Sequence, residues 1–553
     1  MKNFIKKNGI IIGIIILILV MLFPINAKAA DETMTITFKD EGFYNSVLKS
    51  LGDKIESSNK STYTIEILKS NVDKVTSLSA NSNKITNIDG IENFINLKNL
   101  NLNNNLITDI TKLKNLSKLE ELSIYGNKIS DASELSKLTN LKELYIGNNT
   151  LNNIEFLNSL TKLETVSLYG NKLSNISVLS KLTNLKKLYL YNNEITDISS
   201  LKNLSNLEYL SLYGNKISDA SKLSSLTKLK ELYIGSNKVT NLSFLKSLVN
   251  LEILSLQGNE LKDISGLPKL DKLKELYLYN NKISDISVLS KFTNLKKISL
   301  YNNKVSNLNA LKNLNNLKYL YLYQNSISDI KPISNLTNLQ ILSINENNVS
   351  DISALSNLTK LENLSINRNQ IMDLNVLSKL SSLSTIYAEE QAAFRATNKK
   401  QVSLPSIFIE AQNKDSIFYS EEELQLENCT LSKDKKSITI TDTTKQASVS
   451  IIDGKLKKSK LILVYMEGAV NDSSKGNSIN NSNNKSATNS GKSTKETKKA
   501  SSKSTTKSTS KNKSSKPTKL PYTGISTVTI LLIILISIIS VILWKKNSKY
   551  KNI

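Results

Sequence analysis

The sequence has no histidine and very little cysteine or arginine. Among its 553 residues there are one cysteine, Cys429, and two arginines, Arg368 and Arg395. Without histidine, Ser-His-Asp and Cys-His catalytic arrangements and histidine zinc sites are excluded. A single cysteine excludes an intramolecular disulfide and a thiolate metal cluster. The composition therefore disfavours an enzyme, and we expect no catalytic residues, no metal site and no cofactor.

The N-terminus has the pattern of an export signal. A basic start precedes an apolar run at 9–23, and a small-residue site ends at Ala29. This order is typical of a secretory signal peptide, so residues 1–29 are predicted to be cleaved off after Ala29. The alternative is an uncleaved membrane anchor, but the run is short because a bilayer requires roughly 20 apolar residues.

The C-terminal segment 520–553 has three ordered parts. The pentapeptide Leu520, Pro521, Tyr522, Thr523 and Gly524 precedes an apolar stretch at 525–544 and a lysine-rich tail. That stretch is long enough to span a bilayer, and the basic tail would stay cytoplasmic. This order resembles the Leu-Pro-any-Thr-Gly sorting signal of Gram-positive wall-anchored proteins. The resemblance implies that a sortase cuts after Thr523 and joins its carbonyl to peptidoglycan. The protein would then be in contact with the membrane only before it is sorted. A tail-anchored membrane protein is the alternative.

A segment with almost no apolar residues precedes the sorting motif. Residues 469–519 contain 12 lysines against Asp472 and Glu496, among Ser, Thr and Asn. Such a composition cannot bury enough apolar surface to fold, so we expect a disordered stalk through the wall. The formal net charge of +25 arises partly here. Anionic wall polymers are nearer partners than nucleic acid, which we do not expect to bind.

The middle of the chain repeats every 22 residues. Fourteen asparagines recur at this spacing from Asn83 to Asn369, and one copy begins Leu119-Glu-Glu-Leu122-Ser-Ile124-Tyr-Gly-Asn127. This pattern resembles the leucine-rich repeat, in which each unit supplies one short parallel strand and stacking buries the leucines. Residues 75–391 are therefore predicted to form an α/β solenoid, a leucine-rich-repeat horseshoe of 14 full repeats and a half repeat. Gln391 takes the asparagine's place in the half repeat.

Two polar rows accompany the repeat. The asparagine side chain carries both a donor and an acceptor, so this row is expected to satisfy backbone groups above and below each turn. Four residues later every repeat has Asp or Asn, from Asn87 to Asp373. A row of carboxylates suggests calcium, but five of these 14 positions are Asn. Capping of a short helical turn is the better interpretation because a cap tolerates Asn.

The segments on both sides of the repeats are expected to cover the two ends of the repeat array. Residues 30–74 are predicted to form a helical N-terminal cap, with Asp40 as N-cap and Phe43, Val47, Leu48, Leu51 and Ile55 on one face. Residues 392–468 are predicted to form an immunoglobulin-like β-sandwich. The expected strands lie within Gln401–Glu410, Lys436–Thr441, Ala447–Ile452 and Leu461–Tyr465. Cys429 falls here, and we interpret it as a small buried residue rather than a reactive thiol.

Tyrosines concentrate on one face of the predicted sheet. Counting the first leucine as position one, strand alternation places positions three, five and seven on the concave surface. All 15 tyrosines of the array occupy these positions, including Tyr125 and Tyr387. The predicted ligand-binding residues are Tyr145, Tyr169, Tyr189, Tyr191, Tyr209, Tyr213, Tyr233, Tyr277, Tyr279, Tyr301, Tyr319, Tyr321 and Tyr323. Tyrosine is enriched in binding surfaces, but a ladder that merely stiffens the sheet, or recent duplication, would give the same pattern.

The order of parts from residue 30 onward resembles the internalin family. Cap, 22-residue repeats, an immunoglobulin-like domain and a sorting signal follow one another, although a lysine-rich stalk replaces the further β-repeats of many members. The resemblance implies a Gram-positive cell-surface protein anchored to peptidoglycan. We expect the repeats to bind a protein ligand, in adhesion to host or neighbouring cells. The alternative is a binder of glycans or anionic wall polymers that uses the tyrosines as stacking platforms.

Overall fold

The computed structural model describes residues 32–397, 399–412, 424–452, 456 and 459–465. These residues belong to one compact unit, Met1–Asn471. Among them no helix is long and apolar enough to cross a membrane. The predicted signal peptide, stalk, sorting motif and span at 525–544 lie outside the described residues.

The N-terminal region pairs a helix with a small antiparallel sheet. Strands β1 (Thr33–Thr37), β2 (Ile55–Asn59) and β3 (Thr64–Leu68) are ordered β1-β3-β2. The sequence did not indicate this sheet. Helix α1 (Glu41–Leu51) lies between β1 and β2, a 3-10 turn follows at Gly52–Lys54, and α2 (Lys69–Val72) leads into the repeats.

Helix α1 begins where the sequence predicted. Asp40 Oδ1 accepts a hydrogen bond from Phe43 N at 3.0 Å, which confirms Asp40 as N-cap. The predicted apolar face extends too far, however. The helix ends at Leu51 because Gly52 takes a φ of +50°, and Ile55 begins strand β2 instead of a further helical turn.

Fifteen three-residue strands then form one parallel sheet in chain order. Strands β4 to β18 are Ser77–Ser79, Asn99–Asn101, Glu121–Ser123, Glu143–Tyr145, Thr165–Ser167, Lys187–Tyr189, Tyr209–Ser211, Glu231–Tyr233, Ile253–Ser255, Glu275–Tyr277, Lys297–Ser299, Tyr319–Tyr321, Ile341–Ser343, Asn363–Ser365 and Thr385–Tyr387. Each strand covers positions three to five of its repeat, and the middle residue is buried, as Leu210 is in β10. The predicted leucine-rich-repeat solenoid is confirmed.

Short 3-10 helices return the chain from one strand to the next. They are Ile91–Asn93, Thr111–Asn115, Ser133–Lys137, Glu155–Ser159, Ser177–Lys181, Ser199–Asn203, Ser221–Ser225, Ser243–Ser247, Ser287–Lys291, Asn309–Leu311, Lys331–Ile333, Ser353–Asn357 and Asn375–Lys379. Only the connection between β12 and β13 lacks one within this described stretch. This connection contains both Gly266 and Pro268. Glycine is unfavourable within a helix, and proline disfavours a helical conformation of the residue before it.

Each side chain of the Asp/Asn row accepts a backbone hydrogen bond where the return turn begins. Asp109 Oδ1 accepts from Thr111 N at 2.8 Å, and Asn175 Oδ1 accepts from Ser177 N at 2.9 Å. The same bond to the residue two positions on occurs in every repeat from Asn87 to Asp373. The capping interpretation is confirmed, although the side chain lies one residue before the cap position and acts as an Asx turn.

The asparagine ladder bonds as a donor and as an acceptor. Asn127 Oδ1 accepts from Ile107 N at 3.0 Å, and Asn127 Nδ2 donates to Leu102 O at 3.0 Å. A further bond reaches Ile124 O of its own repeat at 3.1 Å. The side chain therefore joins its repeat to the preceding one, whereas bonds on both sides were expected. Asn83, which starts the row, donates instead to Ser46 Oγ of α1 at 2.8 Å.

Two further sheets follow the repeats. Strands β19 (Ala392–Thr397), β21 (Gln425–Glu427), β24 (Ala447–Ser450) and β25 (Lys460–Tyr465) form one sheet, and β20 (Gln401–Ser403), β22 (Cys429–Leu431) and β23 (Ser437–Ile440) form the other. Strands β19 and β25 are parallel. Cys429 is buried and free, as predicted. The immunoglobulin-like class of this region stays a prediction.

The predicted strand at Gln401–Glu410 is wrong over most of its length. Only Gln401–Ser403 is a strand, and helix α3 (Ser406–Gln412) begins after Pro405. Ile407, Phe408 and Ala411 are buried on one side of this helix. Proline lacks a backbone N–H and is tolerated at a helix start, so Pro405 ends the strand and permits the helix.

Candidate functional site: the tyrosine face

The parallel register aligns equivalent positions of neighbouring repeats. Leu210 pairs with Leu188 on one side and Leu232 on the other, so positions three, five and seven form three rows across the sheet. All 13 predicted ligand-binding tyrosines lie in these rows and are half-buried. We call this surface the tyrosine face. Tyr387, in the half repeat, is more exposed.

Along the fifth-position row, tyrosine alternates with buried serine. Ser167, Ser211 and Ser255 are each at most 5% exposed although they carry a polar hydroxyl. The rings on either side of Ser211, Tyr189 and Tyr233, turn towards Tyr209 in the repeat of this serine. The serines therefore leave room for the rings on both sides. The burial of these serines between the tyrosines is a packing feature that sequence reasoning missed.

Glutamates fix several phenols of this row. Tyr145 Oη donates to Glu143 Oε2 at 2.6 Å, and Tyr233 Oη donates to Glu231 Oε2 at 3.0 Å. Tyr277 makes the same bond to Glu275 at 2.5 Å. In each pair the glutamate stands two residues earlier, on the same side of the same strand. The phenols are thus oriented before any partner arrives.

The seventh-position row contains stacked rings. The ring centroids of Tyr279 and Tyr301 are 4.3 Å apart and those of Tyr301 and Tyr323 are 4.2 Å apart, at small interplanar angles. Tyr169 and Tyr191 stack in the same way at 4.4 Å. Aromatic pairs of this kind are stabilising beyond the area they bury. Both faces of the Tyr301 ring are therefore covered by neighbouring rings.

The sequence shows two tyrosine-rich patches, and the structure extends the first of them. The first patch is Tyr189, Tyr191, Tyr209 and Tyr213, and the second is Tyr277, Tyr279, Tyr301, Tyr319, Tyr321 and Tyr323. Tyr189 lies 4.6 Å from Tyr209, and Tyr209 lies 5.5 Å from Tyr233, measured between ring centroids. Farther along the face, Gln257 covers Gly235, where an added Cβ would stand 2.3 Å from the amide carbon. The polar interval at Ser255 and Gln257 separates this patch from the one that begins at Tyr277.

Burial keeps the phenols protonated. It raises the pKa of Tyr169, Tyr189 and Tyr323 to about 12. Burial also raises the pKa of Tyr209 and Tyr301. At neutral pH these hydroxyls are neutral, as tyrosine hydroxyls ordinarily are, and burial moves their ionisation further into the alkaline range.

A lysine enters the second patch. Lys297 Nζ lies 4.9 Å from the centroid of the Tyr277 ring and 5.8 Å from that of Tyr321. Both rings are in the fifth-position row, one repeat before and one repeat after Lys297. Such cation–π contacts hold the ammonium group at the sheet surface. The patch therefore combines rings, phenols and a positive charge.

The repeats match known family profiles over most of the described chain. The profile described as "Leucine-rich repeat region" matches residues 58–306, and "Leucine Rich repeats (2 copies)" matches 293–336, 315–357 and 337–379. Together they span more than half of the sequence, in agreement with the 15-stranded sheet. The chain belongs to the leucine-rich repeat family.

Several solved bacterial structures are similar to this chain. An internalin (inlF) from Listeria monocytogenes is 33% identical, with a TM-score of 0.52, and the match covers 63% of this chain and 95% of the internalin. A leucine-rich repeat protein of Leptospira interrogans is 28% identical with a TM-score of 0.52, over 59% and 91% of the two chains. The functional domain of InlJ from Listeria monocytogenes shares the fold at 20% identity and a TM-score of 0.57, over 78% and 99%. Comparison with curated protein sequences gave no match.

Proposed function

We propose that this leucine-rich repeat protein is a cell-wall-anchored surface protein of a Gram-positive bacterium that binds a protein ligand. The tyrosine face is the binding surface, and adhesion to host or neighbouring cells is the role. The similarity to Listeria internalins and the ordered C-terminal sorting signal support this assignment. Binding, not catalysis, is the activity proposed.

The oriented and stacked tyrosines carry the proposal. Tyrosine offers a large contact area with few rotatable bonds, and an interface gains affinity when its side chains are ordered before binding. In this face the rings already contact one another and several hydroxyls are already hydrogen bonded. Little conformational entropy remains to be lost on docking a partner.

Ring stacking weighs against the glycan alternative. A sugar packs on the exposed face of an aromatic ring, but Tyr301 is covered on both faces by Tyr279 and Tyr323. What the stack presents outward is ring edges and hydroxyls. Those groups suit a protein surface that supplies hydrogen-bond partners and apolar contacts.

Ring contacts also favour a purely structural role, and one experiment separates the two. The double substitution Tyr321→Ala and Tyr323→Ala should weaken binding of a captured surface protein by at least about 2 kcal/mol. The full chain serves as bait for surface-protein extracts and for a glycan array, and the captured ligand is then titrated calorimetrically. Tyr321→Phe with Tyr323→Phe is the matched variant that keeps the rings. Lys128→Ala is a control away from the face.

Thermal unfolding is measured for the same variants. Loss of the Tyr301–Tyr323 stack should lower stability moderately in the alanine variant and hardly at all in the phenylalanine variant. If the alanine variant is destabilised but binds its ligand as tightly as the unchanged protein, the tyrosine face is structural. Capture of glycans alone would instead support the alternative function.

A further inference from the structure

Position two of the repeats forms a charge ladder along the edge where the strands begin. From Lys98 to Lys274 this position alternates strictly between lysine and glutamate. Glu120 contacts Lys98 at 3.2 Å and Lys142 at 2.6 Å, in the repeats before and after it. The pattern continues as Lys186–Glu164, Lys230–Glu208 and Lys274–Glu252, at 2.6 to 2.7 Å. The edge is therefore close to neutral over these repeats.

The alternation breaks beside the second tyrosine patch. Lys274, Lys296 and Lys318 occupy position two of three consecutive repeats without a glutamate between them. Lys296 and Lys318 are exposed, and neither forms an ion pair with any residue that the structure describes. Beyond them the row returns to Gln340 and Glu362, which are hydrogen bonded to each other at 3.3 Å.

Lys297 connects this break to the tyrosines. It stands at position three, next to Lys296, with its ammonium group over Tyr277 and near Tyr321. The carboxylates nearby already have partners, because Glu252 pairs with Lys274 and Glu275 accepts from Tyr277. We define Lys274, Lys296, Lys297 and Lys318 as the lysine edge. Its positive charge adjoins rings and phenols that are ordered in advance.

We propose that the lysine edge recognises a short cluster of carboxylates on the protein ligand. This inference rests on the proposed function and names the chemistry of the partner at the second tyrosine patch: acidic side chains along the edge, with apolar and hydrogen-bonding groups over the rings. Opposite charges across an interface steer association and fix its register.

The extent of the lysine edge favours an acidic protein segment over a phosphate polymer. Three adjacent strands span about 10 Å from first to last at a spacing of about 4.8 Å, room for two or three carboxylates. On one side the edge ends at the neutralised Lys/Glu ladder. On the other side the position-two row continues with Gln340 and the carboxylate of Glu362, which are hydrogen bonded to each other. A long polyanion would have to continue across these carboxylates.

Zero-length cross-linking on the full chain tests this proposal. The probe is a synthetic 12-residue peptide with three glutamates at alternate positions and one tyrosine, coupled by carbodiimide at about 0.15 M salt, where long-range attraction is screened. Peptide mapping gives the yield at each lysine. We expect Lys296, Lys297 and Lys318 to react at least fivefold more than the paired Lys142, Lys186 and Lys230.

One substitution restores the interrupted ladder. Lys296→Glu would place a carboxylate between Lys274 and Lys318, which continues the alternation and should leave the fold intact. It should cut cross-linking at Lys297 and Lys318 at least fivefold. Lys304→Glu makes the same change of charge in the same repeat, eight residues further on and beyond the strand, and should change these yields less than twofold.

Results of two kinds would overturn the acidic-partner proposal. One is equal reactivity of all exposed lysines in the repeats, or unchanged yields at Lys297 and Lys318 in Lys296→Glu. The other is better protection of the lysine edge by short-chain polyphosphate than by the peptide at equal charge, which would indicate a phosphate polymer. Because the probe is a peptide, these outcomes are independent of whether the tyrosine variants lose the captured ligand.

Discussion

The ring of Tyr169 lies over Gly147, where an added Cβ would stand 2.4 Å from its Cδ1 atom. This glycine occupies position seven, the position of the stacked tyrosines, and its lack of a side chain lets Tyr169 reach towards Tyr125. The sequence predicted where the tyrosines stand, because strand alternation fixes the face. The sequence could not predict the orientation of each ring, because the orientation depends on the size of the residues at the same position one repeat away.

The ladder position shows the same limit. From its place in a half repeat, the sequence suggests that Gln391 matters less than a mid-array asparagine. In the structure it is fully buried and repeats the ladder bonds, with Ile371 N at 3.1 Å and Ile366 O at 2.8 Å. Its backbone N–H also donates to Ser459 Oγ, and Lys460 N donates to its carbonyl. Ser459 and Lys460, which cover Gln391, lie about 70 residues further along the chain, so no local sequence pattern reveals them.

We therefore expect Asn215→Leu and Gln391→Leu to be similarly destabilising. Each substitution removes the side chain that bonds one backbone N–H and two backbone carbonyls. For Asn215 these groups are Ile195 N, Leu190 O and Leu212 O. A buried group left unpaired costs about 1–3 kcal/mol. Chemical denaturation of both variants measures the loss, with the exposed Lys128→Ala as control. A clearly smaller loss at Gln391 would mean that the end of the array frays.

Burial of the tyrosines predicts a pH dependence above neutrality. Tyrosine in an unfolded chain titrates near pH 10, whereas burial raises the pKa of Tyr169 and Tyr323 to about 12 in the folded chain. The unfolded state thus loses protons first. The stabilisation is fully present below pH 10 and is lost as the pH rises towards 12.

The measurement compares the protein with its Tyr169→Phe and Tyr323→Phe variant. Lysines titrate over the same range, so the difference between the two proteins isolates the tyrosines. We expect the free energy of unfolding to fall less steeply between pH 10 and 12 in the variant, and absorbance at 295 nm to show fewer late-titrating phenols. Identical slopes would mean that these two hydroxyls are solvated.

At the scale of elements, regular repetition made the strands predictable, and irregular ends did not. The 22-residue period gave the register of β4 to β18 because every unit buries the same leucine positions. Helix α3 was missed because the alternation before Pro405 was extended through it. The sheet of β1, β2 and β3 was missed because Ile55 fits the end of a helical stripe equally well.

The start of α1 is the element boundary with the clearest energetic consequence. Asp40 caps the helix and also accepts from Thr86 N at 2.8 Å and Thr86 Oγ1 at 2.9 Å, in the first repeat. Asp40→Ala should cost about 2 kcal/mol, at the upper end for an N-cap, because it also deprives a backbone group outside the helix of its partner. Glu56→Ala, at an exposed site, should change stability by less than about 0.5 kcal/mol. Equal effects in denaturant titrations would show that Asp40 does not hold the cap to the repeats.

At the scale of the whole molecule, both ends of the leucine stack are closed by polar bonds as well as apolar contacts. Ser46 Oγ of α1 accepts a hydrogen bond from Nδ2 of Asn83, the first ladder asparagine, at 2.8 Å. At the other end, Ser406 Oγ accepts from Leu374 N at 2.8 Å, in addition to the contacts of Gln391. Repeat arrays need such ends because an open stack exposes its core. Both ends of the leucine stack are therefore covered in the described part of the chain, and the proposed attachment to the cell wall concerns the sorting motif, which lies outside the described residues.

Attachment is tested at the sorting motif. If a sortase joins Thr523 to peptidoglycan, Thr523→Ala removes the residue whose carbonyl is transferred, and the protein should appear in the membrane fraction or the medium instead of the wall. Fractionation after muralytic digestion, followed by immunoblotting, measures the distribution. Thr518→Ala, an equivalent substitution two residues before Leu520, is the control and should leave the protein in the wall fraction. A wall-bound signal unchanged by Thr523→Ala would contradict covalent sorting, and retention of both proteins in the membrane would support a tail-anchored protein.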